Sequence, residues 1–186
     1  MDLFKSDSSL PNHLSVYQKK KEEINDKKVE KLFSEITESR GGVAKVISEY
    51  SSFYEGLKAH MEFYYSVMMD ENLPLPRMER EFIGLNVSEF NKCNYCKEHH
   101  QEAYQNVIIN SLDLSNTKKD FFIKFSKLIA LEPHKVSSLK AEFINLGYDD
   151  SCWDHAIYVG SYFCFVNRTV LAKELELEEN YKMMCK

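Results

Sequence analysis

The stretch Glu81-Phe82-Ile83-Gly84-Leu85-Asn86-Val87-Ser88-Glu89-Phe90-Asn91-Lys92-Cys93-Asn94-Tyr95-Cys96-Lys97-Glu98-His99-His100 carries two helical patterns with a break between them. Phe82 and Leu85, with Met78 one turn earlier, recur at the spacing of a single helix face. A second helix starts at Cys93. At about 100° per residue, Cys96 lies about 60° behind Cys93, while His100 falls within about 20° of Cys93 and 40° of Cys96. Two thiols and an imidazole therefore share one face.

Helical spacing extends outward from this pair, and no window of similar length alternates as a strand does. Val46, Ile47, Tyr50, Tyr54, Leu57, Met61, Tyr64, Tyr65 and Met68 step by threes and fours, which predicts one long amphipathic helix from Val43. Gly41-Gly42 precedes it, and Pro74 and Pro76 close the loop after it. Val29, Leu32, Phe33 and Ile36 form a shorter upstream stripe. Further helices are expected around Arg77 to Asn91, Cys93 to Ile109, Lys118 to Leu131, Ser137 to Leu146 and Ser151 to Leu175. Ser137 is placed to cap the helix that Gly147 ends, and Asp149 or Asp150 to cap the last. The expectation is an all-α chain of about seven helices, with residues 1–15 a mobile arm and 16–186 a single domain.

Composition narrows the functional classes. A hydrophobic fraction of 44%, an aromatic fraction of 13% and a charged fraction of 28% belong to a folded protein. The formal net charge of −5, from 24 Lys and Arg against 29 Asp and Glu, gives no electrostatic reason to bind nucleic acid or an anionic membrane. Met1 to Leu14 lacks the apolar core of a signal peptide, and no segment has the roughly 18 apolar residues of a span. A cytoplasmic setting follows as the expectation. There, five cysteines point to redox or metal chemistry rather than a disulfide scaffold.

A free thiol has a pKa near about 8.5, and each unit of depression multiplies the thiolate roughly tenfold at neutral pH. Two levers are present. The amino-terminal turn of a helix favours Cys93 as nucleophile, and proximity to His100 favours Cys96. Side chains three apart on a helix can also close a disulfide. Glu81 sits at the edge of the preceding helix's buried stripe, where a helical hairpin would bring it to His100 as a Glu-His-Cys relay. A plain ion pair with Arg77, one turn back, competes with that role. Zinc would need a fourth ligand beyond Cys93, Cys96 and His100. His99, about 100° around the helix from His100, reads as peripheral. Cys152, Cys164 and Cys185 read as passive and His155 as a structural histidine; Lys97 after the second cysteine excludes haem attachment.

Glu81, the C-x-x-C of Cys93 and Cys96, and His100 after three further residues resemble the site pattern of the AhpD-like branch of the carboxymuconolactone decarboxylase superfamily. Ser88, Asn91, Tyr95 and the late segment ending in Asn167-Arg168 are similar to the sub-branch labelled peroxidase-related. The resemblance implies an all-α fold, homo-oligomers built as trimers or hexamers, and reduction of hydroperoxides without a bound cofactor. It casts Cys96 as the peroxidatic thiolate, activated by Glu81 through His100 and water, with Cys93 resolving its sulfenic acid. An external dithiol, thioredoxin-like or lipoyl, would reopen the disulfide. One position departs from the pattern: well-known members carry His where this chain has Tyr95. Three readings compete. A lactone decarboxylase-type enzyme keeps the fold but has no use for the dithiol. A redox-sensing or zinc-holding interaction module, or general dithiol exchange, uses the same residues.

Overall fold

The computed structural model describes residues 12–109 and 111–185, and among them every regular element is helical. Eight α-helices follow in order: α1 Asn12–Arg40, α2 Lys45–Ser48, α3 Tyr54–Tyr64, α4 Arg77–Phe90, α5 Asn94–Ile108, α6 Asn116–Leu131, α7 Lys140–Asn145 and α8 Asp150–Ala172. A π-turn, Tyr65–Met69, continues α3, and 3₁₀ turns cover Pro133–Leu139 and Tyr181–Met184. None of the described helices is long and apolar enough to cross a membrane. The expected N-terminal arm falls mostly outside the described residues; residues 12–15 belong to α1.

The single long helix expected from Val43 is not one helix. It breaks after α2, where Ser51 N–H bonds the Ser48 carbonyl and Phe53 N–H bonds that of Tyr50. Tyr50-Ser51-Ser52 thus closes as a turn, serines being residues that favour local turns over helix interiors. Apolar steps of three and four run straight across this break, so periodicity alone could not see it. The expected helix from Ser137 also differs. Pro133 starts a 3₁₀ turn instead, and α7 begins only at Lys140 with no side-chain cap from Ser137. Gly147 ends that region with φ +92°, a conformation its missing Cβ permits. Asp149 caps α8 as expected, accepting from the Cys152 amide at 2.8 Å.

Helix α4 is the central element, packed by α5, α6 and α8. Phe121, Phe122, Phe125, Phe143, Trp153 and Phe163 fill the core around it. The apolar side chains of Phe82, Ile83 and Val87 are buried on α4, and so are Glu79, Arg80 and Glu81. Each has a distinct partner direction. Glu79 accepts from the Tyr148 hydroxyl at 2.7 Å, Arg80 donates to the Asp70 carbonyl at 3.1 Å, and Glu81 faces α5. Buried charges demand such partners, so α4 is held in rotation by them as well as by its apolar stripe.

Candidate active site

The α4–α5 junction fixes the first cysteine. Lys92 takes φ +59°, its amide bonds the Glu89 carbonyl, and the Cys93 amide reaches back to Ser88 at 2.9 Å. This is the Schellman closure of a helix end, with Lys92 where glycine is usual. Cys93 is therefore the last residue of one cap and the N-cap position of the next helix. Three residues on, Cys96 brings its sulfur to 3.0 Å from that of Cys93, both cysteines being free and buried.

The two thiols are shifted in opposite directions. In the doubly protonated form the Cys93 thiol is placed to donate to Cys96. When Cys93 loses its proton, the Cys96 S–H turns to donate back. This bond, with the Cys96 amide, holds Cys93 below the usual thiol range against the opposing effect of burial. The same bond pushes Cys96 up, as do burial and the charge on Cys93, while a hydrogen bond from Asn167 acts in the other direction. Cys96 is the sulfur that faces open space.

His100 lines the same cavity as Cys96. Its Nδ1 is 2.8 Å from a Glu81 carboxylate oxygen, and the other Glu81 oxygen is 3.4 Å from Arg77 Nε. The relay partner and the simple ion-pair partner of Glu81 are therefore both present, one on each oxygen. Burial acts to raise the Glu81 carboxyl, but the His100 hydrogen bond and the charges of His100, Arg77 and Arg40 outweigh it and hold it below the usual range. Phe163 of α8 packs edge-on against the His100 ring, centroids 4.3 Å apart.

Gly84 makes this packing possible. A Cβ there would lie 2.6 Å from Phe163 Cε2 and 3.2 Å from His100 Cγ. Gly84→Ala is expected to push the Phe163 and His100 rings aside, lowering stability by about 1–3 kcal/mol and slowing any chemistry that depends on His100. A thermal melt together with a thiol-reaction rate checks both effects. An unchanged melt and rate would show that the rings are not constrained there.

Behind the cysteines, α8 supplies a polar brace. Asn167 is fully buried; its side-chain NH₂ donates to Ser88 Oγ at 3.1 Å, and its oxygen accepts from Asn91 at 2.9 Å. Ser88, Asn91 and Asn167, singled out in the sequence only by resemblance, therefore form one chain of hydrogen bonds that ends at the Cys96 sulfur.

The third wall comes from the C-terminal segment, which sequence reasoning set aside. Glu178 accepts from the Tyr95 hydroxyl at 2.7 Å and meets His99 Nε2 at 3.1 Å, and it caps the Lys45 amide. Cys185, buried rather than passive in a tail, sits 3.5 Å from His99 Nδ1. Arg40 and Asn106 bind the carbonyls of Met184 and Cys185, each at 3.1 Å. His99 is therefore not peripheral. It faces away from His100 but onto the tail that closes the site. Tyr95, within the C-x-x-C, turns its hydroxyl to Glu178.

Burial alone would raise the Glu178 carboxyl, but the His99, Lys45 amide and Tyr95 hydrogen bonds pull it down to about 2. A depressed folded pKa contributes stability that is complete above the unfolded value of 4.5 and is lost as pH falls toward 2. Docking of the tail is expected to weaken below about pH 4.5, seen as faster alkylation of Cys185. Glu178→Ala is expected to produce the same loosening at neutral pH, at a cost of roughly 1–3 kcal/mol. Alkylation that ignores both changes would mean that Glu178 does not hold the tail.

These walls enclose a cavity of about 60 Å³ lined by Cys96, His100, Glu81, Arg40, His60 and Cys185 among others. Cys93 does not line it. Among the described residues, no three His, Cys, Asp or Glu side chains converge in an arrangement that could hold a metal ion. His155, as expected, is structural, bonded to the Leu75 amide and the Val67 carbonyl.

No family model and no curated protein matches the chain by sequence. Solved structures do match it by shape. An uncharacterised peroxidase-related protein from Silicibacter sp. TM1040 superposes with a TM-score of 0.72 at 21% identity, covering 86% of this chain and 90% of that one. A second, from Ralstonia eutropha JMP134, described as an alkylhydroperoxidase AhpD core and uncharacterised peroxidase-related protein, gives 0.71 at 18% identity with coverages of 86% and 90%. This chain therefore shares the all-helical fold of these two structures.

Proposed function

We propose that this chain is a thiol-dependent hydroperoxide reductase, with Cys96 attacking, Cys93 resolving and Glu81–His100 moving the proton. The observation that supports it most is the placement of one thiol, Cys96, in a cavity beside a carboxylate-held imidazole, with a second thiol 3.0 Å behind it. The proton of Cys96 passes to the Cys93 thiolate along their hydrogen bond, leaving the charge on Cys96. Its sulfur attacks the terminal oxygen of ROOH. The O–O bond breaks, the RO⁻ fragment takes a proton from His100 and leaves as ROH, and Cys96 becomes a sulfenic acid. Cys93 then attacks the Cys96 sulfur, the S–O bond breaks, and the Cys93 proton passes to the departing hydroxide, which leaves as water as the disulfide forms. Two thiols and one ROOH have become one disulfide, ROH and H₂O.

Glu81 is buried, its carboxyl held below the usual range, and its bond to Nδ1 keeps the His100 ring oriented toward the leaving oxygen. A dithiol reductant, thioredoxin-like or lipoyl, then has to reopen the bridge, and assembly into trimers or hexamers in the cytoplasm is part of the same proposal. The test is a single turnover on reduced, metal-free protein with stoichiometric organic hydroperoxide. Rapid loss of two thiols, mapped to a Cys93–Cys96 bridge, is the expected result. A reaction no faster than that of a free thiol, or thiols masked by tightly bound zinc, overturns the proposal in favour of an interaction module.

A further inference from the structure

The cavity contains more than the groups this chemistry uses. Arg40, the last residue of α1, lines it although α1 is not one of the two helices that carry the motif. One terminal nitrogen of its guanidinium donates to the Met184 carbonyl, and the group lies 4.8 Å over the Tyr64 ring. Its Nε is buried and has no hydrogen-bond partner. Among the described residues no carboxylate comes within ion-pair distance of it. His60, on α3, is in the same condition: Nε2 meets the Tyr162 hydroxyl at 3.0 Å, while Nδ1 is buried and unpartnered. Four buried side-chain polar atoms lack partners among the described residues, and two of them belong to this one cavity.

Unpartnered buried polar atoms are costly, and an unbonded N–H on a guanidinium that only the more distant Glu81 charge balances is more so. Their concentration beside a reactive thiol points to a ligand group that completes them. A guanidinium lacks any acceptor and cannot lose its proton, so the complementary group is an anion with oxygen acceptors. The size of the ligand is bounded as well. A volume of about 60 Å³ has room for about four to six water-sized atoms, too little for a long acyl chain while the C-terminal segment is docked. Val46, Ile47, Met61 and Val166 give the remaining wall an apolar character suited to one or two carbons.

We infer that the cavity takes a short hydroperoxy acid, its carboxylate held by Arg40 and its peroxide presented to Cys96. This inference rests on the reading of Cys96 as the attacking thiol and adds the substrate class. The carboxylate takes no part in bond making; it sets orientation. Hydroperoxyacetate and ethyl hydroperoxide make the comparison, since they are close in size and differ in charge.

Single-turnover thiol loss in the wild type is expected to be roughly 10- to 100-fold faster with hydroperoxyacetate, the range of one charge-assisted hydrogen bond. Arg40→Gln is expected to bring that ratio to near unity, and Arg40→Lys to keep part of it. Because the ratio is taken within each variant, a general loss of folding does not imitate the effect. Equal rates with the two peroxides in the wild type, or a ratio that survives Arg40→Gln, overturn the inference and leave the reductase reading intact. If neither peroxide reacts, the reductase reading fails on its own. Protection of Cys96 from iodoacetamide by acetate, lost in Arg40→Gln, then upholds the carboxylate site; absence of protection rejects it.

Discussion

Cys96→Ser is expected to slow peroxide-driven thiol loss roughly a thousandfold or more, to the level of a bystander cysteine, whereas Cys93→Ser blocks the bridge and slows the first oxidation far less. The two cysteines divide the properties a nucleophile needs. Cys93 has the lower pKa, from its place at the N-terminus of α5 and its bond with Cys96, but it does not line the cavity. Cys96 lines the cavity and is harder to ionise. On the proposed mechanism the 3.0 Å contact between the sulfurs reconciles them, a Cys93 thiolate taking the proton of Cys96. Cys93→Ser therefore removes the local base as well as the resolving thiol. Its first step is expected to be slower by about tenfold, ending in a Cys96 sulfenic acid that a dimedone-type reagent traps. Rapid oxidation of Cys93 in the Cys96→Ser variant would reverse the assignment and make Cys93 the attacking thiol.

Much of this site was legible because helix geometry is local. Rotation of about 100° per residue was enough to group Cys93, Cys96 and His100, and a hairpin of two helices was enough to suggest Glu81 as the fourth member. The same reasoning failed at His99. Angles around α5 say only that His99 faces elsewhere, and what it faces is a segment 79 positions later in the chain, at Glu178. That segment, from Leu175 onward, has one short 3₁₀ turn and no apolar period to read. Arg40 and His60 were invisible for a related reason. Each is an ordinary residue on its own helix and gains meaning only where α1, α3 and α8 converge on the cavity. Asn167 stood out by resemblance alone; its bonds to Ser88 and Asn91 depend on how α8 crosses the α4–α5 junction. The break between α2 and α3 shows the opposite hazard, a pattern continuing where the backbone does not.

Glu81→Gln is expected to slow single-turnover oxidation about a hundredfold, and His100→Ala about a hundred- to a thousandfold, within the range of a proton-transfer group. The Gln variant is nearly the same shape and still reaches His100, so the loss reports the charge rather than the contact. Glu81 is fully buried in the central helix, and its carboxyl is held below the ordinary range. Its ionic contribution to stability is therefore complete above the ordinary carboxyl pKa and disappears as pH falls through the depressed value. At neutral pH the Gln variant loses that contribution while Arg77 loses a charged partner, so its melting temperature is expected to fall as well. Stability and catalysis are separated by the double variant. If Glu81 acts on the reaction only through His100, adding Glu81→Gln to His100→Ala costs little further rate, although the melt falls again. Full additivity of the two rate losses would instead mean that the carboxylate acts on the thiol or the peroxide directly, and the Glu-His relay would have to be abandoned.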